Sequence, residues 1–162
     1  MDIRTNHLRT NISNKKENMK VEILTLCDFA RAIPGNKLDV IGSFDHVWSR
    51  TAPIKYPLCA MAGQLRFQRG EEGTKRLTLS FIDADGKSIM PTLNIPINVQ
   101  VAINESSATV QFAMIIPQLN LPHFGEYAIG LSIDGREEAS VPLFVREAPL
   151  IPPFPQPPPA PA

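Results

Sequence analysis

Residues 118–135, QLNLPHFGEYAIGLSIDG, decide the fold. Tyr127, Ile129, Leu131 and Ile133 alternate with Ala128, Gly130 and Ser132, the two-residue period of a strand with one dry face. Asp134-Gly135 then supplies a tight turn, because glycine accepts the positive φ that short hairpins need. Upstream, a polar connection crosses over and Gly125 and Tyr127 open the strand. A tyrosine at such a corner donates its hydroxyl to upstream backbone while its ring joins the core, as in immunoglobulin-like sandwiches. After the turn the chain returns as ASVPLFVRE (139–147), whose outward parity places Pro142 and Phe144 on one face. An outward phenylalanine beside an edge strand is a candidate docking point, although one exposed apolar residue is ordinary.

The same period extends upstream. In CAMAGQLRF one parity holds Cys59, Met61, Gly63, Leu65 and Phe67, and the other Ala60, Ala62, Gln64 and Arg66. Leu77, Leu79 and Phe81 form the inward set of RLTLSFID. Leu93, Ile95, Ile97, Val99, Val101 and Ile103 line one face of LNIPINVQVAIN, and Val110, Phe112 and Met114 that of TVQFAMI. These are antiparallel signatures, one face dry and one wet. Asp83-Ala84-Asp85-Gly86 and Asn104-Glu105-Ser106-Ser107 read as hairpin loops. Pro96 and Pro142 each delete a ladder donor, which places their strands at edges or bulges. About eight strands with regular turns predict an all-β fold, an antiparallel two-sheet β-sandwich of immunoglobulin-like type. One short helical turn is expected near the N-terminus, after Cys27, with Asp28 as its cap and its end near Gly35.

The ends differ in composition. Residues 1–18 hold few strong apolar side chains and are expected to be a disordered extension. Met19 directly precedes the first strand pattern and reads as a natural start. Residues 149–162 carry eight of the chain's sixteen prolines. Proline fixes φ and removes the amide donor, so this tail is expected to be extended, solvated polyproline II. Pro153, Phe154 and Pro155 within it are candidates for docking in an aromatic-lined groove. The domain proper is therefore expected over residues 19–148.

Charge is balanced, with sixteen basic and sixteen acidic side chains. A balanced chain carries no electrostatic footprint for nucleic acid or for an anionic membrane. No apolar run approaches the ~20 residues of a membrane span. Two cysteines do not make a disulfide scaffold. A cytoplasmic setting is the expectation, since no secretory apolar segment opens the sequence.

Cys27, Asp28 and Arg31 stand close together in LTLCDFARAIPGNKLDVIGSFD. A catalytic cysteine needs a base or cation to form thiolate; His46 or His123 are candidate bases for Cys27, and Arg31 could lower its pKa. No spacing demands that arrangement. The simpler reading is a structural corner: Cys27 in the core, Asp28 capping, and Arg31 paired to Asp28 or Asp45, pinning the first strand to the second. Trp48 and Tyr56 flank the following loop. They form either an aromatic lid over one end of the sandwich or a stacking site for a sugar or small ligand. Asp83-x-Asp85-Gly86 lacks the remaining oxygen ligands of a calcium loop, and the three histidines show no ligand spacing. No cofactor is expected.

The residues Leu26, Cys27, Asp28, Ala30, Arg31, Gly35, Lys37, Leu38, Ile41, Gly42, Phe44 and Asp45 resemble the opening of an uncharacterised bacterial family of small β-sandwich proteins. That family begins with a Cys-Asp-x-x-Arg corner followed by a GKLNIIGxFD-like strand. Asn36, inserted between Gly35 and Lys37, and the proline tail depart from its pattern. The resemblance implies a β-sandwich over roughly residues 19–147 and no reaction. The functional expectation is a non-catalytic protein-interaction or assembly module whose partner is another protein. The alternatives are a sugar- or small-ligand-binding sandwich using Trp48 and Tyr56, or a small enzyme using Cys27, Asp28 or Asp45.

Overall fold

A computed structural model describes residues 18–150. The expectations for the N-terminal extension and for Pro153, Phe154 and Pro155 lie outside these residues. The described residues form eleven strands: β1 (Lys20–Ile33), β2 (Lys37–Phe44), β3 (His46–Ser49), β4 (Ile54–Tyr56), β5 (Cys59–Gln68), β6 (Gly73–Asp83), β7 (Leu93–Val99), β8 (Ser107–Ile116), β9 (Leu119–Leu121), β10 (Gly125–Ile133) and β11 (Arg136–Glu147). Two large sheets carry the orders β2-β1-β5-β8 and β3-β11-β10-β6-β7, and β4 pairs with β9 in a small third sheet. The triplets β1-β5-β8 and β11-β10-β6 follow the A-B-E and G-F-C arrangement of an immunoglobulin-like sandwich. All ladders are antiparallel except that of β3 with β11.

The alternation read in the sequence fills the core. Leu77, Leu79 and Phe81 of β6 meet Tyr127, Ile129, Leu131 and Ile133 of β10, Leu143 and Val145 of β11, and Met61, Leu65 and Phe67 of β5. Burying a Leu, Ile or Phe side chain stabilises by about 1.5–3 kcal/mol, so this inward stripe is the main source of stability. The Tyr127 hydroxyl donates to the His123 carbonyl at 2.7 Å and accepts the His123 amide at 3.2 Å, closing the corner that opens β10. Asp134 and Gly135, at φ 49° and 84°, make the two-residue turn into β11.

Four local expectations are corrected. The helical turn after Cys27 does not form: β1 continues as strand to Ile33 and pairs with β2 from Ile33↔Lys37 to Leu26↔Phe44, interrupted only at Asp28 and Gly42. A local run such as Phe29-Ala30-Arg31-Ala32 permits a helix, but the ladder to β2 satisfies the same backbone groups and buries Ala30, so tertiary context wins. Asp28 consequently caps nothing. The 104–107 loop is not a hairpin, because β7 and β8 belong to different sheets. Ile103 does not continue the β7 face: the strand ends at Val99 and Ile103 is 92% exposed. Pro96 does sit on an edge strand, whereas β11 is flanked on both sides. Its pairing with β3 starts only at Phe144, so Pro142 lies where that side of the strand is open.

The β1–β2 hairpin outruns β5 and curls over the outer face of its own sheet, bringing β2 against β8 although two strands separate them in order. Ala30, Leu38 and Val40 thereby cover Cys27, Ala60, Ala62 and Ala113 in a second, smaller apolar cluster. Alanines on the wet parity of β5 and β8 permit that close approach. The curl starts at Gly42, which has φ 66°. A Cβ there would lie 2.2 Å from Asp28 Oδ2 and 2.8 Å from Asp28 Cγ, so glycine is required both by the backbone and by the side chain across from it.

Candidate functional site

The most distinctive surface lies on the outer face of the five-stranded sheet, where β3 meets β11. Parallel pairing sets Phe144 against His46 and Arg146 against Trp48, so all four side chains share one face. The Phe144 amide donates to the Asp45 carbonyl at 2.7 Å and the Ala148 amide to the Ser49 carbonyl at 2.8 Å, clamping β3 to β11 at both ends. The His46 ring stacks on Phe144 with centroids 4.9 Å apart, and Trp48 stacks on His46 at 6.1 Å with 14° between planes. The Arg146 guanidinium lies 5.2 Å from the Phe144 ring centroid, a cation–π arrangement.

Two carboxylates fix the orientation of the row. His46 Nδ1 donates to Asp45 Oδ1 at 2.7 Å, and Arg146 Nη2 donates to Glu126 Oε1 at 3.4 Å. Trp48, at the open end, is 59% exposed. A row of exposed Trp48 and His46 and half-buried Phe144 and Arg146 is chemically suited to stacking and to apolar contact, with guanidinium hydrogen bonds at its margin. Trp and Arg are also the side chains enriched at the energetic centres of protein interfaces.

The structure redistributes the residues singled out from sequence. Phe144 and Trp48 belong to one site, joined through His46. Pro142 lies further along β11, lining a cleft of about 320 Å³ with Leu26, Phe44 and Asp45. Tyr56 is elsewhere: its ring meets Phe44 at 5.2 Å and its hydroxyl is 3.5 Å from Asp28 Oδ1. Trp48 and Tyr56 therefore form neither a joint lid nor a two-ring clamp. His46 and Arg146 are the participants that sequence reading did not assign to this surface. Arg146 was findable, being two residues beyond Phe144 on the same outward parity.

The proposed Cys27-Asp28-Arg31-Asp45 corner is not a cluster. Arg31 pairs with Asp39, its direct cross-strand neighbour, through Nε at 2.7 Å, and Asp45 serves His46. The pair does link β1 to β2, with a different carboxylate, and as an exposed pair it adds only about 0.2–1 kcal/mol. Cys27 is buried and its thiol donates to the Ala60 carbonyl at 3.4 Å. Burial, reinforced by the Asp28 charge, raises its pKa. Burial pushes the Cys59 thiol up to about 11, with Cys27 and Asp28 adding to the effect. Both sulfurs are thus held as thiols at neutral pH, whereas nucleophilic attack uses thiolate. The two histidines offered as bases are engaged elsewhere, His46 with Asp45 and His123 with Tyr127. Asp83 caps its own turn, its Oδ1 accepting the amides of Asp85 at 3.0 Å and Lys87 at 2.9 Å.

A second concavity, an open groove of about 610 Å³, crosses the outer faces of β6 and β7. Polar and charged side chains such as Thr78, Arg76 and Asn94 line it together with Pro96, and none of its lining residues carries an aromatic ring. Thr78 donates to Asn94 Oδ1 at 2.9 Å, and the Arg76 amide to Asp134 Oδ1 at 2.8 Å. Among the described residues no three His, Cys, Asp or Glu side chains converge as metal ligands, and no helix is long and apolar enough to cross a membrane.

The sequence model of a family of unknown function, DUF6941, matches residues 22–146. No curated protein matches the chain. Solved structures that resemble it in shape include the following three. The alkylpurine DNA glycosylase AlkC of Pseudomonas fluorescens, bound to DNA containing an abasic site analogue, superposes with TM-score 0.45 at 7% identity, over 80% of this chain and 30% of that one. A β-glucuronidase of glycoside hydrolase family 2 superposes with TM-score 0.37 at 14% identity, over 57% and 10%. An immunoglobulin-like protein from Pseudomonas aeruginosa gives TM-score 0.35 at 14% identity, over 82% and 99%. The chain thus spans less than a third of each of the two enzymes. None of these likenesses transfers an activity.

Proposed function

Given that the chain belongs to the DUF6941 family of unknown function, we propose that it is a non-catalytic protein-interaction module that docks a partner protein on the Trp48–His46–Phe144–Arg146 row. The observation that carries this reading is the exposed, pre-stacked row itself. Its strands are fixed by sheet pairing, its rings stack on one another, and His46 and Arg146 are each held by a carboxylate, so docking immobilises few new rotamers. Pre-organisation of that kind lowers the entropic cost of association. The complementary partner surface presents apolar or proline rings to the aromatic row and a carboxylate to Arg146. The module acts in the cytoplasm on this reading and needs no cofactor.

Trp48 is the chain's single tryptophan, so its fluorescence reports occupancy of the row directly. The test uses the full chain as bait in lysate of its source cells, beside Trp48→Ala and Phe144→Ala variants. A partner retained by the native chain and lost from both variants supports the row, and fluorescence of the purified pair then shifts to shorter wavelength. A partner retained equally by all three baits refutes it. The exposed indole face also fits the sugar-binding alternative. Quenching of Trp48 by a glycan, with no protein captured, would favour that alternative.

A further inference from the structure

The described residues end beside the aromatic row. Strand β11 pairs with β3 past Trp48, and the Ala148 amide donates to the Ser49 carbonyl at 2.8 Å, so the chain is held against β3 until it has passed the open end of the row. Pro149 and Leu150 follow, Leu150 being 86% exposed, and the sequence continues as IPPFPQPPPAPA (151–162). Proline recurs there at every third position: Pro149, Pro152, Pro155, Pro158 and Pro161. Polyproline II has three residues per turn, so in that conformation these rings line one face without a gap. Neither other face is uniform: one mixes Leu150, Gln156 and Ala162 with prolines, and the other holds Ile151, Phe154, Pro157 and Ala160.

We propose that this segment folds back in cis and lays its proline face on the Trp48–His46–Phe144 row. Chemistry favours the occupant. Aromatic-lined surfaces recognise proline-rich helices of this kind, which lose little entropy on docking. Residues 151–162 carry no charged side chain, and the charges bordering the row are already matched within the domain, Asp45 with His46 and Glu126 with Arg146. An uncharged, ring-bearing ligand leaves those pairs intact. Spacing agrees. Consecutive rings on one polyproline face are about 9 Å apart, so two of them span the row, whose neighbouring centroids lie 6.1 and 4.9 Å apart. Reach is sufficient, since residues 151–162 extend about 37 Å. A reversal of about four residues leaves Pro155, Pro158 and Pro161 for the return along β3 and β11. Tethering favours this copy of the segment over any other. A short linker gives an effective concentration of about 1 mM, so a contact that the free peptide makes with a dissociation constant of about 0.1 mM keeps roughly nine tenths of the chains closed. The tail is then the resident occupant of the row, and any external ligand must displace it.

The test reads the fluorescence of Trp48, the single tryptophan, in the full chain and without any partner, so it holds or fails separately from the partner reading above. The native protein is compared with a variant stripped of the one face, Pro152→Ser, Pro155→Ser, Pro158→Ser and Pro161→Ser. A control is altered on the other faces, Pro153→Ser, Pro157→Ser and Pro159→Ser. Both sets lie beyond the strands, so far-UV circular dichroism should stay native in each. Acrylamide should quench Trp48 about twofold more steeply in the face variant, because the closed fraction falls, and its emission should move to longer wavelength. The control should match the native chain, and the native protection should be the same at every protein concentration. A synthetic peptide of residues 151–162, added at about 1 mM, should restore protection to the face variant and change the native chain little. Equal quenching of all three proteins overturns the proposal. Equal loss of protection in both variants refutes the proline face as the contact. Protection that grows with protein concentration assigns the tail to another molecule and refutes docking in cis. A peptide that leaves the face variant as quenchable as before refutes contact between the tail and the row.

Discussion

Gly42→Ala tests the account of the curled hairpin most directly. The substitution asks an L-residue to hold φ 66°, a left-handed conformation costing about 1–2 kcal/mol. It also places a methyl 2.2 Å from Asp28 Oδ2, 2.8 Å from Cγ and 3.1 Å from Cβ. Oδ2 and Cγ can swing away by leaving their rotamer, at about 0.5–1.5 kcal/mol, giving up the approach of the Tyr56 hydroxyl. The total loss should be about 2–3 kcal/mol. Urea unfolding would show it as a midpoint lower by about 1–2 M with an unchanged slope. In an Asp28→Ala background the carboxyl is absent, so the same glycine substitution should cost only its backbone share. The double-mutant cycle should therefore give a coupling of about 1 kcal/mol. Coupling within the ~0.3–0.5 kcal/mol scatter of independent sites would refute the side-chain half of the argument. Asp28→Ala alone should cost little, since no helix end depends on it.

Two further outcomes follow from the core. Tyr127→Phe keeps the ring and deletes the hydroxyl that holds both backbone groups of His123, so stability should fall by about 1–2 kcal/mol in urea titration; an unchanged midpoint would mean that sheet pairing alone maintains the corner. Cys59 has its thiol pKa raised from 9.0 to about 11 in the folded chain, so its contribution is complete below the unfolded pKa and is lost as pH rises through the folded one. The unfolding free energy from urea titration should therefore decline between about pH 9 and 11, by up to roughly 2–3 kcal/mol from this group, and the decline should be shallower in Cys59→Ala; equal slopes would place the alkaline sensitivity elsewhere.

The core strands were legible because their signal is local and periodic. Tyr127, Ile129, Leu131 and Ile133 announce a buried face without knowledge of what they pack on, and the bond from Tyr127 to His123 spans only four residues. The β1–β2 hairpin was harder. Asp28 followed by an alanine-rich run suits a capped helical turn as well as a strand, and only the pairing register decides. Once the helix is assumed, the partner of Arg31 is missed, since Asp39 comes opposite it only in the ladder. Ala60 and Ala62 read as the wet side of β5 because small size, not polarity, is what the overlying hairpin asks of them. The aromatic row was legible in its members but not as a unit. Trp48 sits nearer Tyr56 in sequence, and nothing local tells that a parallel ladder carries it to Phe144 instead.

That ladder also sets a schedule. His46 and Trp48 leave the ribosome early, whereas Phe144 and Arg146 come with the last strand of the sandwich. Pairings between such distant segments bear the largest loop-closure cost and form slowly. The row therefore comes into being only as the sandwich completes itself. A chain that lacks β11, or has not yet folded it, carries half of the row at most, so the stacked surface exists only in the completed sandwich.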